Sequence, residues 1–479
     1  MRHFARLALS LIPVVGWAQP QASFSTPSPL PGSVQVAQPG DPLLNSLIQE
    51  VLDRNPDLVK ARSLVDAEKE RIPQSKALPD PSLSLGLQND GFKGIQVGKM
   101  ETSYYQVMLT QPLPWPGKRN LRGEITSLGV DVSRTAADRT RLSLIADVKR
   151  AYFGLLLVRG QVELLDQQAL FWQKASDITK LRYEVGQGSQ ADLLRAQLEQ
   201  NRIRQSRISL RSEEQVLLTT LNRLRGLTSE APIPTTAKLQ DFTLQANAAS
   251  AWIDRAEKES PELQAARLGI RQAERSLDLA KRDRYPDFAV SAGIMPRGAL
   301  EPMWTVGFSI SLPVWSKQKQ QRAVSEQEFR RRAQGSDAES VRILLAQRIH
   351  ERAAQLDAAL DTLRLYREGL LVQSESSFQA NLAQYETGRT PFISVLEALN
   401  GWISDRSGFL QTLAQAQAVQ IAQEEFNLSG TPGISAQGLN SGAMGAGGSP
   451  SGSAMPSSSS KSGAASASGG EGSSAAKSM

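Results

Sequence analysis

The chain is written nearly twice. Asn55-Pro56-Asp57-Leu58 through Leu78-Pro79-Asp80-Pro81 returns as Ser260-Pro261-Glu262-Leu263 through Asp283-Arg284-Tyr285-Pro286, with both prolines displaced by 205 residues. Leu113-Pro114-Trp115 ahead of Lys118 returns as Leu312-Pro313-Val314-Trp315 ahead of Lys317, and Tyr183-Glu184-Val185-Gly186 returns as Tyr385-Glu386-Thr387-Gly388. Two tandem copies make one pseudo-symmetric object, so the unit to explain is the repeat. Its boundaries fall at 41–227 and 248–429, joined by an equatorial linker over 228–247.

Each repeat is expected to open with short helices, pass through a β-hairpin (81–112 and 286–313), and continue into a long helix (117–184 and 317–386). A return helix closes it (189–227 and 391–429). The strands decide the fold class. Leu83, Leu85 and Leu87 alternate with Ser82, Ser84 and Gly86, and Tyr105, Val107 and Leu109 alternate with Gln106, Met108 and Thr110. In the second copy Phe288, Val290, Ala292 and Ile294 face away from Ala289, Ser291 and Gly293. Trp304, Val306, Phe308 and Ile310 likewise face away from Thr305, Gly307, Ser309 and Ser311. A period of two gives each strand one apolar and one small polar face. Strands of roughly 9–11 residues that are apolar outside and polar inside suit a membrane barrel. Tyr104, Tyr105 and Trp304 at one end, with Trp115 and Trp315 beyond the other, suit its interfacial girdle. About eight strands are needed to close a barrel, so four imply that several chains share one.

The helices are expected to be rods. The run from Lys118 to Tyr183 spans roughly 100 Å, the return helix about 60 Å and the short helix about 35 Å, so the last two laid end to end match the first. Leucine and isoleucine recur every seventh residue at Ile203, Leu210, Leu217 and Leu224, and at Ile349, Leu356, Leu363 and Leu370, which predicts side-by-side coiled-coil packing.

Composition bounds the rest. Arg2, His3 and Arg6 ahead of the apolar run Leu7–Val15, with Gly16 and Ala18 before Gln19, predict a signal peptide over 1–18 and hence an exported chain. A Pro-rich linker (19–40) follows. Zero cysteines and two histidines, His3 and His350, leave no disulfide framework and no metal site of credible ligand spacing, and no cofactor is expected. Met100, Met108, Met295 and Met303 lie on or beside the strands and read as barrel residues. A net charge of +6 with interspersed acids gives no nucleic-acid footprint. No nucleophile elbow or phosphate loop supports an enzyme. The Ser/Gly/Ala tract over 430–479 cannot offset its ordering entropy and is expected to be a disordered tail.

These motifs resemble the outer-membrane efflux protein family typified by TolC, over roughly Asp41 to Gly430. The two Pro-Asp/Glu-Leu starts, Pro81 and Pro286 ahead of the strands, the Leu-Pro strand exits and the duplicated Tyr-Glu-x-Gly tips carry the resemblance. It implies a mainly α chain with a membrane β-barrel portion, assembled as a homotrimer with one shared twelve-stranded barrel in outer-membrane lipid above a periplasmic helical tunnel. It further implies a passive gated duct, working with a periplasmic adaptor (membrane fusion) protein and an inner-membrane pump of the RND type. The family's carboxylate gate maps to Ser394 and Glu397, of which only Glu397 is acidic. The family's adaptor-docking turns map to Gly186, Gln187, Gly188 and Ser189 and to Gly388 and Arg389. Leu83, Leu85, Leu87, Val306, Phe308 and Ile310 are the expected lipid-facing positions. The phrase Gln111-Pro112-Leu113-Pro114-Trp115-Pro116-Gly117-Lys118-Arg119 resembles the heavy-metal branch, of CusC and CzcC type, which implies export of heavy-metal cations. A multidrug or type I secretion duct is the alternative within the family, and a soluble periplasmic coiled-coil adaptor the alternative outside it.

Overall fold

A computed structural model describes residues 41–186, 188–228, 231–244, 248–430 and 433–434. The expected signal peptide, the Pro-rich linker, Gln187 and nearly all of the tail lie outside the described residues. Proline and a capping side chain start the helices. Asp41 accepts from the Leu43 amide at 3.0 Å to begin α1 (Pro42–Arg54), and Asn55 accepts from Asp57 at 2.8 Å to begin α2 (Pro56–Lys76). A proline at the first helical position costs no hydrogen bond there, because that amide has no partner in any helix. Strands β1 (Ser82–Gln88) and β2 (Tyr104–Leu113) follow, then α3 (Lys118–Glu184) and α4 (Gln190–Leu224). The order then repeats: α5 (Ala249–Glu259), α6 (Pro261–Arg282), β3 (Asp287–Arg297), β4 (Leu300–Ser311), α7 (Gln320–Leu365), α8 (Leu371–Glu386) and α9 (Phe392–Glu424).

At 67 residues α3 is about 100 Å long. It packs against α2 along one part and α4 along another, and these two meet where the Asn55 side-chain amide donates to the Leu224 carbonyl at 2.8 Å. One asparagine therefore caps the start of α2 and satisfies the end of α4. In the second half α6 and α9 lie along α7 and α8, and contacts of α3 with α6 and α9 unite the halves.

The main core sits where these rods cross. Leu44, Leu47 and Val51 of α1, the α3 run Tyr152–Val158 (Gly154 included), Leu221 and Leu224 of α4 and Leu413, Ala414, Ala416, Ala418, Val419 and Ile421 of α9 form it. A buried charge cluster flanks it: Glu425, 1% exposed, accepts from Arg139 at 2.5 Å and Arg150 at 2.9 Å, while Lys149 pairs with Glu424 at 2.5 Å. Arg352, also buried, donates to the Asn427 and Ser429 carbonyls at 2.5 and 3.0 Å, and desolvation depresses it to about 10.

Two expectations change. The long second helix is not α-helical throughout, because a π-turn at Tyr366–Leu370 lies between α7 and α8. That turn holds one extra residue. Ile349, Leu356 and Leu363 are buried on the expected heptad, but Leu370 is not part of the core; the stripe resumes at Leu371, Phe378 and Tyr385, one position later. The strands are also unequal, at 7, 10, 11 and 12 residues, with β1 the shortest.

Candidate functional site

Two regions carry the residues singled out by sequence: the sheet, and the helix turns at the far end of α3. The four strands form one antiparallel sheet in the order β1-β2-β3-β4, which leaves one edge of β1 and one of β4 without a partner. Directly opposed residues share a face. Leu83 opposes Leu109, Leu109 opposes Ala292 and Ala292 opposes Val306; Leu85 opposes Val107, Val107 opposes Ile294 and Ile294 opposes Trp304. The apolar residues thus make one continuous face across all four strands. The other face carries Ser84, Met108, Gly293 and Thr305 in register. Leu83, Leu85, Leu87, Val306, Phe308 and Ile310 are all exposed in the single chain, Leu85 by 75%. So broad an apolar surface requires a partner phase.

The aromatic residues do not group as expected. Tyr104 lies on the polar face, its hydroxyl donating to Gln88 at 2.7 Å, while Tyr105 lies on the apolar one. Trp115 is stacked on Tyr285 at 5.1 Å, whereas Trp315 is 71% exposed. Lys118, whose partners are in the second repeat, explains this asymmetry. Its ammonium donates to the Tyr285 carbonyl at 3.0 Å and to Asp287 at 2.9 Å, with Asp283 at 3.4 Å. The Pro-Trp-Pro-Gly-Lys phrase is therefore the joint between the β2 exit and the β3 start.

At the tips, Gly186 and Gly388 adopt φ of 74° and 76°, a left-handed conformation that any side chain would strain. After Gly388 the Arg389 amide returns to the Gln384 carbonyl at 2.9 Å and closes the helix end. Gly188 is small for another reason: a Cβ there would stand 2.9 Å from the Tyr183 backbone nitrogen. Ser189 caps α4 by accepting from the Ala191 amide at 3.1 Å. Ser394 and Glu397 lie one helical turn apart near the start of α9, opposite buried Phe392, Val395 and Leu399. Glu397 is exposed and, among the described residues, has no ion pair; Ser394 is half-buried.

Sequence reasoning missed the link between the two tips. Arg182, in the last turn of α3, donates to the Tyr385 carbonyl at 2.7 Å and covers the Tyr385 ring at 4.4 Å. Burial pushes the Tyr385 phenol up, with the Arg182 charge opposing and the Asp192 charge adding. The duplicated Tyr-Glu pair marked Tyr385 as a tip residue, yet nothing in one sequence places Arg182 of the first copy over it.

Among the described residues no group of three or more His, Cys, Asp or Glu could hold a metal ion, and no helix is long and apolar enough to cross a membrane. The profile of the family described as "Outer membrane efflux protein" matches residues 47–228 and 252–426. The cobalt-zinc-cadmium resistance protein CzcC of Cupriavidus metallidurans is 21% identical over 366 residues, covering 75% of this chain and 84% of the relative. The outer membrane protein TolC of Escherichia coli is 24% identical over 381 residues, 74% of this chain and 76% of its own. The solved MtrE outer membrane channel of Neisseria gonorrhoeae superposes with a TM-score of 0.64 at 20% identity, over 83% of this chain and 91% of that one.

Proposed function

This chain belongs to the outer membrane efflux protein family, and from that premise we propose that three copies share one twelve-stranded barrel above a helical tunnel. It is an outer-membrane efflux channel, a transporter rather than an enzyme. The observation that carries the barrel reading is the continuous apolar face of the sheet, exposed in one chain and flanked by two open strand edges. Outer-membrane lipid would cover that face, and neighbouring copies would pair the edges. A soluble periplasmic adaptor has no use for either feature.

In this reading residues 1–18 direct export, each repeat contributes one hairpin to the barrel, and the two tip turns dock a periplasmic adaptor. Gly186, Gly188, Ser189, Gly388 and Arg389, with Gln187, form that docking surface, and an inner-membrane pump of RND type drives export through the duct. Glu397 and Ser394 line the narrow end. The family resemblance supports these assignments; the position of Glu397 on an exposed, unpaired helix face is compatible with a ring around a threefold axis. Heavy-metal cations are the cargo we favour, because a cobalt-zinc-cadmium resistance protein matches three quarters of the chain. Growth of a deletion strain, with and without the restored gene, across zinc, cobalt, cadmium, copper, silver and organic drugs tests this. Sensitivity to a group of metals is the expected outcome; sensitivity to drugs alone would reassign the cargo while leaving the duct.

A further inference from the structure

Within one chain, the exit of the first hairpin and the start of the second lock together. The Trp115 amide donates to Asp287 at 2.7 Å, the Trp115 ring stacks on Tyr285, and Lys118 reaches both Asp283 and Asp287 with its side chain only 3% exposed. The same two sequence elements occur once more each. Counted from the Leu-Pro exit, a displacement of 199 residues carries Leu113 to Leu312 and Lys118 to Lys317. Counted from the strand-starting proline, the displacement of 205 residues carries Tyr285 back to Asp80 and Phe288 back to Leu83. The duplicates are not joined. Lys317 and Asp80 are both exposed and, among the described residues, neither has an ion pair. Leu312, Val314 and Trp315 beside Lys317 are exposed by 69, 74 and 71%.

These two elements cannot meet in one chain, because they flank β4 and β1, the opposite edges of the sheet. We propose that Lys317 pairs with Asp80 of a second copy of this chain, with Trp315 covering the turn around that aspartate. The joint inside the chain thereby has a counterpart between chains, in which Asp80 occupies the place of Tyr285, whose carbonyl accepts from Lys118, and supplies the acid that Asp283 and Asp287 supply within the chain. The charges are complementary, and the template for the contact is the chain's own buried joint. This rests on the shared-barrel reading and deepens it, since it also fixes a register. Transposing the pairs Leu113–Phe288, Gln111–Val290 and Pro112–Ala289 by the same displacements sets Leu312 opposite Leu83, Ile310 opposite Leu85 and Ser311 opposite Ser84. Leucines then meet apolar residues and serine meets serine, whereas a slip of one residue would reverse every pairing. The clasp between chains carries fewer acids than the one within, because Leu78 and Ser82 stand where Asp283 and Asp287 do. It is therefore the weaker of the two.

The chain has no cysteine, so engineered pairs report without background. Ser84→Cys with Ser311→Cys reports on the strand edges, and Asp80→Cys with Lys317→Cys on the clasp. The full-length protein is extracted from membranes in detergent, oxidised and run on a denaturing gel. Covalent dimers and trimers are expected from both double variants and from none of the four single ones. Linkage at 84/311 with none at 80/317 overturns the clasp and leaves the barrel standing. Linkage at neither, in protein that elutes as a monomer, overturns both; linkage at neither in protein that elutes as a trimer overturns the register and the clasp. Independently, Lys317→Glu should cut the trimer fraction about tenfold by setting like charges together, and adding Asp80→Lys should restore it. Failure of the second change to restore trimers, where Lys317→Glu has lowered them, also overturns the pairing.

Discussion

At the scale of single residues, the two repeats solve one backbone problem differently. Gly226 ends α4 with a φ of 74°, and its counterpart at the end of α9 is Phe426 at 52°. A left-handed L-residue costs about 1–2 kcal/mol. Phe426 is 2% exposed and meets the Trp252 ring at 6.3 Å, so its burial offsets that strain. Emptying such a site costs about 3–5 kcal/mol. Phe426→Gly should therefore lower the thermal midpoint despite relieving the backbone, and a rise would show that strain dominates. At the tip the balance is simpler. Gly388→Ala strains the turn by about 1–2 kcal/mol with no packing gain, since among the described residues beyond its chain neighbours an added Cβ would meet only the Arg182 guanidinium, at 3.8 Å. Faster proteolysis between 384 and 392 is the expected readout. Tyr385 adds a pH dependence of known sign. Because its folded pKa lies above the ordinary 10.0, the folded tip holds its proton more tightly than the unfolded chain does, so its stability falls as pH rises past that value. Tip protection should drop in that range, and Tyr385→Phe should flatten the profile.

At the scale of elements, periodicity was legible wherever the geometry stayed regular. Strand faces, paired capping prolines and the heptads of α4 and α7 follow directly from side-chain alternation and seven-residue spacing. The π-turn was not legible, because Tyr366–Leu370 contains no proline and the apolar residues Leu370 and Leu371 are adjacent, so either phase fits the string. A π-turn accommodates one extra residue without changing the phase of the next helix. Deletion of Gly369 should therefore be tolerated, since Leu363 and Leu371 would fall seven apart in plain α-helix. Deletion of Ser374 should not, because it rotates the tip-proximal half of α8 by about 100° and takes Phe378 and Tyr385 out of the core. Equal folded yields from the two deletions would refute this account. The strands offer a second element-level test: Leu85→Arg or Val306→Arg on the apolar face should cost about 2–4 kcal/mol per chain in a bilayer and reduce assembled protein. Normal assembly of both would refute the face assignment. The candidate gate was legible only by resemblance, because the positions of Ser394 and Glu397 along α9 say nothing about an axis that one chain does not contain.

At the scale of the whole molecule, that axis decides what Glu397 does. On one chain it is a solvated carboxylate on the open side of α9. Three copies around a narrow aperture would set three like charges within a screening length of one another, which is about 10 Å at 0.1 M salt and about 30 Å at 0.01 M. Cations would be concentrated there and anions repelled. Glu397→Ala should therefore reduce cation selectivity, read as a shift in reversal potential across a bilayer with a salt gradient. The shift should be larger at low ionic strength, where screening is weakest. Ser394→Asp provides the converse test. It places a second acid one helical turn from Glu397 on the same face, and selectivity should rise above that of the natural chain. If both variants leave the reversal potential where it was, Glu397 is not at the aperture and the constriction lies elsewhere along the duct. If Glu397→Ala acts and Ser394→Asp does not, the ring consists of one acid per chain, with Ser394 turned from the axis.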